Sequence, residues 1–286
     1  MEINVRTDMA AEAHRLWQES ANAVSEFSGV RARESLLRGF PVTHVEILDE
    51  QGERALGKPA GQYFTLELPH FFSRGEEDFS AAADALSVLI RLCLGPTPVS
   101  SVLIAALGNP EITPDALGHS TAASLLITRH LKARGEEGFE RFCSTALCRP
   151  GVLGNSGIES AEQLRLLCER LKPERVIAVD ALAGCEPERL CRTVQICDSG
   201  IAPGSGVGND RGALSRESLG VPVVAVGVPT VIDAALFSQD EALRGLFVSP
   251  RSIDEVIRCA GRLIGYAINL AVHPGLAVED VDALMG

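Results

Sequence analysis

The hydrophobic period of the chain changes along its length. Residues 42–48 (VTHVEIL) and 62–68 (QYFTLEL) alternate apolar and polar positions, the period-two pattern of half-buried strands. The connection LGKPAG at 56–61 carries the glycine and proline of a turn, so the two runs predict a β-pair at an edge of the sheet. Ahead of them, residues 8–27 have helical spacing with Leu16, Ala23 and Val24 among the apolar positions. Thr7 or Asp8 is the candidate cap, after an extended lead-in over 1–8. Downstream, strand-like and helix-like segments take turns. A helix is predicted near 76–93, a strand at 101–107 and a helix from TPDALG to about Ala133. A helix at 159–171 follows, then strands at 175–179, 193–197 and 222–228, and a last long helix over 253–272. This alternation predicts an α/β fold of three layers: a mostly parallel central sheet, helices on both faces, and the N-terminal β-pair added to it. Sites in such folds collect at the carboxyl ends of the strands. The glycine-rich stretch SGIAPGSGVGNDRG (199–212) is a long loop of the kind that often carries function.

Composition narrows the function. The net charge of −12 over 286 residues argues against a direct nucleic-acid grip. No apolar run reaches the roughly 18 residues of a membrane span, and MEINVRTDM lacks a signal-peptide pattern, so the expected location is cytoplasmic. The eight cysteines contain no Cys-x-x-Cys pair and stand near no histidine cluster. They are read as reduced structural thiols, with no metal or other cofactor expected.

Two aspartates are the candidates for chemistry. In VIAVDALA (176–183) an apolar strand runs into Asp180; a carboxylate there loses hydration, which raises its pKa unless it is paired. In LIAALGNPEITPDALG (103–118), Gly108-Asn109-Pro110 forces a turn after a strand. Thr113 is then a possible cap, Pro114 suits a first helical turn, and Asp115 stands near the helix start. Should the fold bring Asp115 and Asp180 together, one shared proton would provide an acid and a base able to activate water. Plain structural readings stand beside this: Asp115 as a helix-neutralising residue, Asp180 as a hydrogen-bond acceptor. RPGVLGNSGIES (149–160) is a glycine-rich turn into a helix, with Ser156 or Ser160 as its cap and Glu159 in or beside its first turn. Its N–H groups could hold a carbonyl oxygen. GSGVG at 204–208 fails as a dinucleotide fingerprint, because no helix opens there and the third glycine comes one place early. No histidine lies in a nucleophile-elbow context. His130 is placed late in a helix, facing solvent or its C-terminal end, and His119 is a core or surface residue near the Asp115 turn.

Taken in order, VRTDMA (5–10), GNPEITPDALG, TRHL (128–131), RPGVLGNSGIES, VIAVDALA, DSGIAPGSGVGN (198–209), LGVPVVAVGVPTVIDA (219–234) and INLAVHPGL (268–276) resemble the spore germination protease family. The resemblance spans most of the chain. It implies a cytosolic endopeptidase of the forespore and spore core that cuts small acid-soluble spore proteins at germination. The family is of aspartic type, on an α/β fold unlike pepsin's and similar to that of hydrogenase maturation proteases. Its catalytic aspartates carry over to Asp115 and Asp180, with Thr113, Asn155, Ser156, Gly157, Glu159 and Asp198 as supporting or substrate-binding residues. The family is made as a zymogen and assembles as tetramers. Residues 1–8 would then be a short propeptide, removed near Asp8–Met9, and 9–286 one α/β peptidase domain. The chain departs from the family in being shorter, and the stretch between the β-pair and the first core strand looks trimmed. Three rivals remain: a metal-dependent maturation-type peptidase of similar architecture, a peptidyl-tRNA-hydrolase-like esterase suggested by Leu107-Gly108-Asn109-Pro110, and a non-catalytic spore protein-binding homologue.

Overall fold

A computed structural model describes residues 7–20, 29–69, 78–208, 211–237 and 243–285. In chain order the elements are α1 (Ala10–Ser20), β1 (Val30–Leu37), β2 (Phe40–Ile47), α2 (Glu50–Leu56), β3 (Gly61–Glu67), α3 (Phe79–Leu94), β4 (Ser101–Ala106), α4 (Leu117–Ala122), α5 (Arg129–Arg134) and β5 (Ser144–Cys148). Then come α6 (Leu153–Ser156), α7 (Ser160–Leu171), β6 (Arg175–Gly184), β7 (Thr193–Cys197), α8 (Arg216–Leu219), β8 (Val223–Asp233), β9 (Phe247–Val248), α9 (Ile253–Val272) and α10 (Val278–Met285).

The strands form one sheet in the order β1-β2-β3-β7-β8-β6-β4-β5, with β9 on β8. The sheet is mixed, which corrects the expected mostly parallel one. β8, β6, β4 and β5 run parallel, whereas β1, β2, β3 and β7 join antiparallel to one another and to β8. The expected β-pair is β2 with β3, but it lies inside the sheet, since β1 covers its outer edge. Its connection holds a helix, α2, rather than only a turn. Asp49 caps it by accepting the N–H groups of Gln51 and Gly52.

Helices cover both faces. On one, Val102, Ile104, Ile177, Val179, Val224 and Val226 share a core with α3, α4 and α9. On the other, Leu103, Ala105, Val176, Ala178 and Val223 pack with α7 and α8, and α1 joins Val45, Ile47 and Tyr63. The central strands are therefore buried on both sides, which is why their apolar runs read as continuous.

The helix expected from the TPDALG turn to Ala133 is broken. A 3-10 turn at Thr113–Asp115 leads into α4, and the chain leaves helical form before α5. Side chains from elsewhere take over the backbone groups in the gap: Asn269 Oδ1 accepts the Leu126 N–H and Thr145 Oγ1 the Thr128 N–H. His130 consequently stands near the start of the short α5, exposed to solvent. The predicted first helix is α1, and residues 1–6 and 21–28, which held the rest of that expectation, lie outside the described residues. No described helix is long and apolar enough to cross a membrane.

Candidate active site

The site grows from the unequal lengths of β4 and β6. β4 stops at Ala106, paired with Val179, and the Leu107 N–H then donates to the Val179 carbonyl at 2.9 Å. β6 continues to Gly184, with a register shift against β8 between Leu182 and Ala183. Asp180 is thus not at the end of a strand, as the sequence suggested. It lies inside β6, opposite Gly227 of β8, and is the first residue beyond the end of β4. Into that notch the chain returns through Gly108 and the 3-10 turn that holds Pro114 and Asp115. Gly108 has φ +90, and a Cβ on it would stand 1.9 Å from the Asp115 carbonyl oxygen. Only glycine allows the turn to close so tightly.

The two carboxyls line one cleft of about 480 Å³. Asp180 is 3% exposed; burial, and then the charge of Asp115, push its pKa well above the carboxylate range, against the pull of the Ala181 N–H and the Arg211 guanidinium. Asp115 is more open. Burial raises its pKa as well, opposed by the Asn109 N–H, which donates to Oδ2 at 2.9 Å, and by Arg211. The two carboxyls are therefore unequal: both are raised by burial, and the more deeply buried Asp180 is raised further by the charge of Asp115.

Asp8 lines the same cleft. The Asp8 N–H donates to the Ala183 carbonyl at 2.9 Å, and Asp8 Oδ2 accepts the Ala183 N–H at 2.8 Å. Asp8 Oδ1 accepts from Ser205 Oγ at 2.8 Å. Lys58 Nζ donates to the Thr7 carbonyl at 3.1 Å. Gln195 donates from Nε2 to the Asp8 carbonyl at 2.9 Å, and its Oε1 accepts the Ala10 N–H at 2.6 Å. Met9 and Glu12 are fully buried, and the Glu12 carboxylate accepts the N–H groups of Cys185 and Glu186. Neither Thr7 nor Asp8 caps α1 in the expected way: the Asp8 carboxylate is committed to β6 and Ser205, and the Thr7 hydroxyl accepts the Met9 N–H and donates to the Glu12 carboxylate.

The other sequence candidates fall differently. Thr113 sits in the turn beside Asp115, and its side chain makes no capping bond. Asn155, Ser156 and Gly157 are exposed on and after α6, and Glu159 precedes α7 without a side-chain cap. Their loop reaches the cleft through Val152 and Ser160 instead. Asp198 lines an adjoining hollow of about 740 Å³ and accepts the Gln62 N–H at 2.7 Å. His119, in α4, does not line the cleft. All eight cysteines are free, and among the described residues no three His, Cys, Asp or Glu side chains gather where a metal ion could sit. Sequence reasoning missed Ser205, Arg211 and Gln195. The first two were covered only by the flagged long loop. Gln195 had a signal: it is the large polar residue inside the apolar strand TVQIC.

Residues 7–244 match the family described as germination protease. The chain is 37% identical to the germination protease of Caldanaerobacter subterraneus subsp. tengcongensis, covering 99% of this chain and 98% of that one. It is 34% identical to that of Clostridium perfringens, over 99% of each chain. It is 42% identical to that of Bacillus cereus, over 83% of this chain and 65% of the relative.

Proposed function

The chain belongs to the germination protease family, and on that premise we propose that it is an endopeptidase whose Asp115 and Asp180 activate water against a peptide carbonyl. It removes its own N-terminal segment between Asp8 and Met9 and, once matured, opens small acid-soluble spore proteins in the germinating spore. The observation that carries this reading is that two unequal carboxyls line one cleft that Asp8 also lines, its backbone N–H and side chain both bonded to Ala183 of β6. Ionised Asp115 takes a proton from a water. The resulting hydroxide attacks the carbonyl carbon, and Asp180 gives its proton to the leaving nitrogen as the C–N bond breaks. The N-terminal segment occupies the place of a substrate, so the protein is idle until it is cut, which suits storage beside its target. The homotetramer and the spore-core location belong to the same proposal.

The test maps new peptide ends by mass spectrometry. The matured protein is incubated with a small acid-soluble spore protein with and without chelator, and its own N-terminal mass is followed. We expect Met9 as the new N-terminus and discrete substrate cuts unchanged by chelator. Loss of cleavage with chelator would favour the metal-dependent peptidase, and binding with no new ends the silent homologue. The unequal pair also sets a bell-shaped pH–rate profile. Activity falls on the acid side as Asp115 takes up a proton, above the usual carboxylate range because its pKa is raised, and on the alkaline side as Asp180 loses its own. A rate flat from pH 4 to pH 9 would remove the shared-proton mechanism.

A further inference from the structure

Two carboxyls supply a base and an acid, but they leave the carbonyl oxygen, which becomes an oxyanion on attack, without a donor. We propose that Gln195 is that donor: its side-chain amide binds the carbonyl oxygen of the bond to be cut and fixes the backbone on the far side of that bond, making it a third catalytic residue. This rests on the endopeptidase reading above and on cleavage at Asp8–Met9.

The geometry is specific. Gln195 Nε2 donates at 2.9 Å to the carbonyl of Asp8, which is the carbonyl of the Asp8–Met9 bond. Its Oε1 accepts at 2.6 Å from the N–H of Ala10, the second residue after that bond. One side chain thus brackets the scissile peptide from both ends. Gln195 is 6% exposed, and the amide would be costly to bury without these partners. Capping of α1 accounts for only half of this. The Ala10 N–H is an unpaired donor of a first helical turn, so the Oε1 bond is an ordinary cap. The Asp8 carbonyl precedes the helix and needs no capping partner, yet the Nε2 donor is aimed at it.

The sheet also places Gln195 on the correct side. Gln195 of β7 is in register with Gly227 of β8, and Gly227 with Asp180 of β6. Thr193, Gln195 and Cys197 alternate with the core residues Val194 and Ile196, so Gln195 faces away from the α3/α9 side. Asp180 faces the same way, since its neighbours Val179 and Ala181 point to the α3/α9 side. Amide and carboxyl therefore stand two strands apart on one face, roughly 10 Å backbone to backbone. Between them lies Gly227, which contributes no side chain; the Leu182 side chain packs over it, with Cγ 2.6 Å from where a Cβ would stand. Gln195 lines the adjoining hollow, Asp115 and Asp180 line the cleft, and Asp8 lines both, so a peptide on the path of residues 8–9 passes from the amide donor to the carboxyl pair.

The experiment uses the full-length chain and its Gln195→Met and Gln195→Glu variants. The substrate is a synthetic peptide of residues 5–14, supplied after maturation, and self-cleavage is followed by N-terminal mass. Met keeps the volume and removes both hydrogen bonds. We expect Gln195→Met to lower kcat by about 10²–10³ with KM changed far less, the usual cost of one oxyanion donor. Gln195→Glu aims an anion at the carbonyl at neutral pH and regains an O–H donor when protonated. Its activity relative to wild type should rise as pH falls, while the Met variant's ratio stays flat. Wild-type-like kcat in Gln195→Met, or a pH-independent ratio in Gln195→Glu, would overturn the assignment. A lowered Tm with kcat preserved would reduce Gln195 to a cap of α1. If the wild type itself fails to cut the peptide at Asp8–Met9, the endopeptidase reading falls first; if it cuts and both variants cut equally well, only Gln195 is lost.

Discussion

Asp180→Asn is expected to abolish cleavage and, at neutral pH, to make the protein more stable. The loss should be at least about 10³-fold in kcat, because the amide cannot supply the proton that the leaving nitrogen needs. The gain in stability follows from the direction of the pKa shift. Asp180 is 3% exposed, and burial and the Asp115 charge raise its pKa in the folded protein. The folded state therefore holds a proton that the unfolded chain releases in the ordinary carboxylate range. Below the unfolded pKa both states are protonated and this pH-dependent penalty vanishes. As pH rises through that range the unfolded state is increasingly favoured, up to the raised folded pKa, and the penalty then stays constant. Asn carries no such penalty. Its Tm should exceed wild type at pH 7, and the difference should shrink toward nothing near pH 3. A lower Tm at pH 7 would mean that hydrogen bonds to the Asp180 carboxylate hold β6 in place, and that burial is not the dominant effect there. Asp115→Asn should lose activity as completely, since the base is removed.

The opposite signs of these two effects explain what could be read from the sequence. A charged residue that breaks an apolar run is visible without a fold, and Asp180 was identified that way. The strand itself was cut five residues short, at Val179 rather than Gly184, because a run is expected to end where it turns polar. Asp115 was legible from the glycine–proline turn around it. That the two meet was not, because it depends on β4 stopping one pair before Asp180. Strands β4 and β7 and helix α9 matched their patterns closely, since burial there is uniform along one period. β1 did not, because VRARESLL is an outer strand exposed along most of its length and shows no alternation. Strand direction left no trace in the pattern: an alternating or continuous run reads the same parallel or antiparallel, so the mixed sheet came only with the pairing. The false continuation from Asp115 to Ala133 had sound helical spacing. It was overridden by Asn269 and Thr145, side chains from distant segments that no local reading includes.

Gly108→Ala is also expected to lower activity strongly, without changing either carboxyl. The residue has φ +90, and a Cβ would lie 1.9 Å from the Asp115 carbonyl oxygen and 3.1 Å from its Oδ1. The first obstacle is backbone, and the second is the Asp115 carboxyl held by the Asn109 N–H, so no flexible side chain can move aside. The 3-10 turn must shift outward, and the Asn109 N–H bond to Asp115 must lengthen with it. A displacement of about 1 Å in a reacting group can cost about 10² in rate, so kcat should fall by that factor or more. Backbone strain at a positive φ adds a loss of about 1–3 kcal/mol in stability. Gly135→Ala separates the two causes. Gly135 ends α5 at φ +70 with nothing within 4 Å of a Cβ, so it carries the strain without the collision. It should lower Tm and leave cleavage intact, while Gly108→Ala lowers both. If Gly108→Ala cuts the residue 5–14 peptide within about three-fold of wild type, the position of Asp115 tolerates a shift that the proposed proton transfer does not allow.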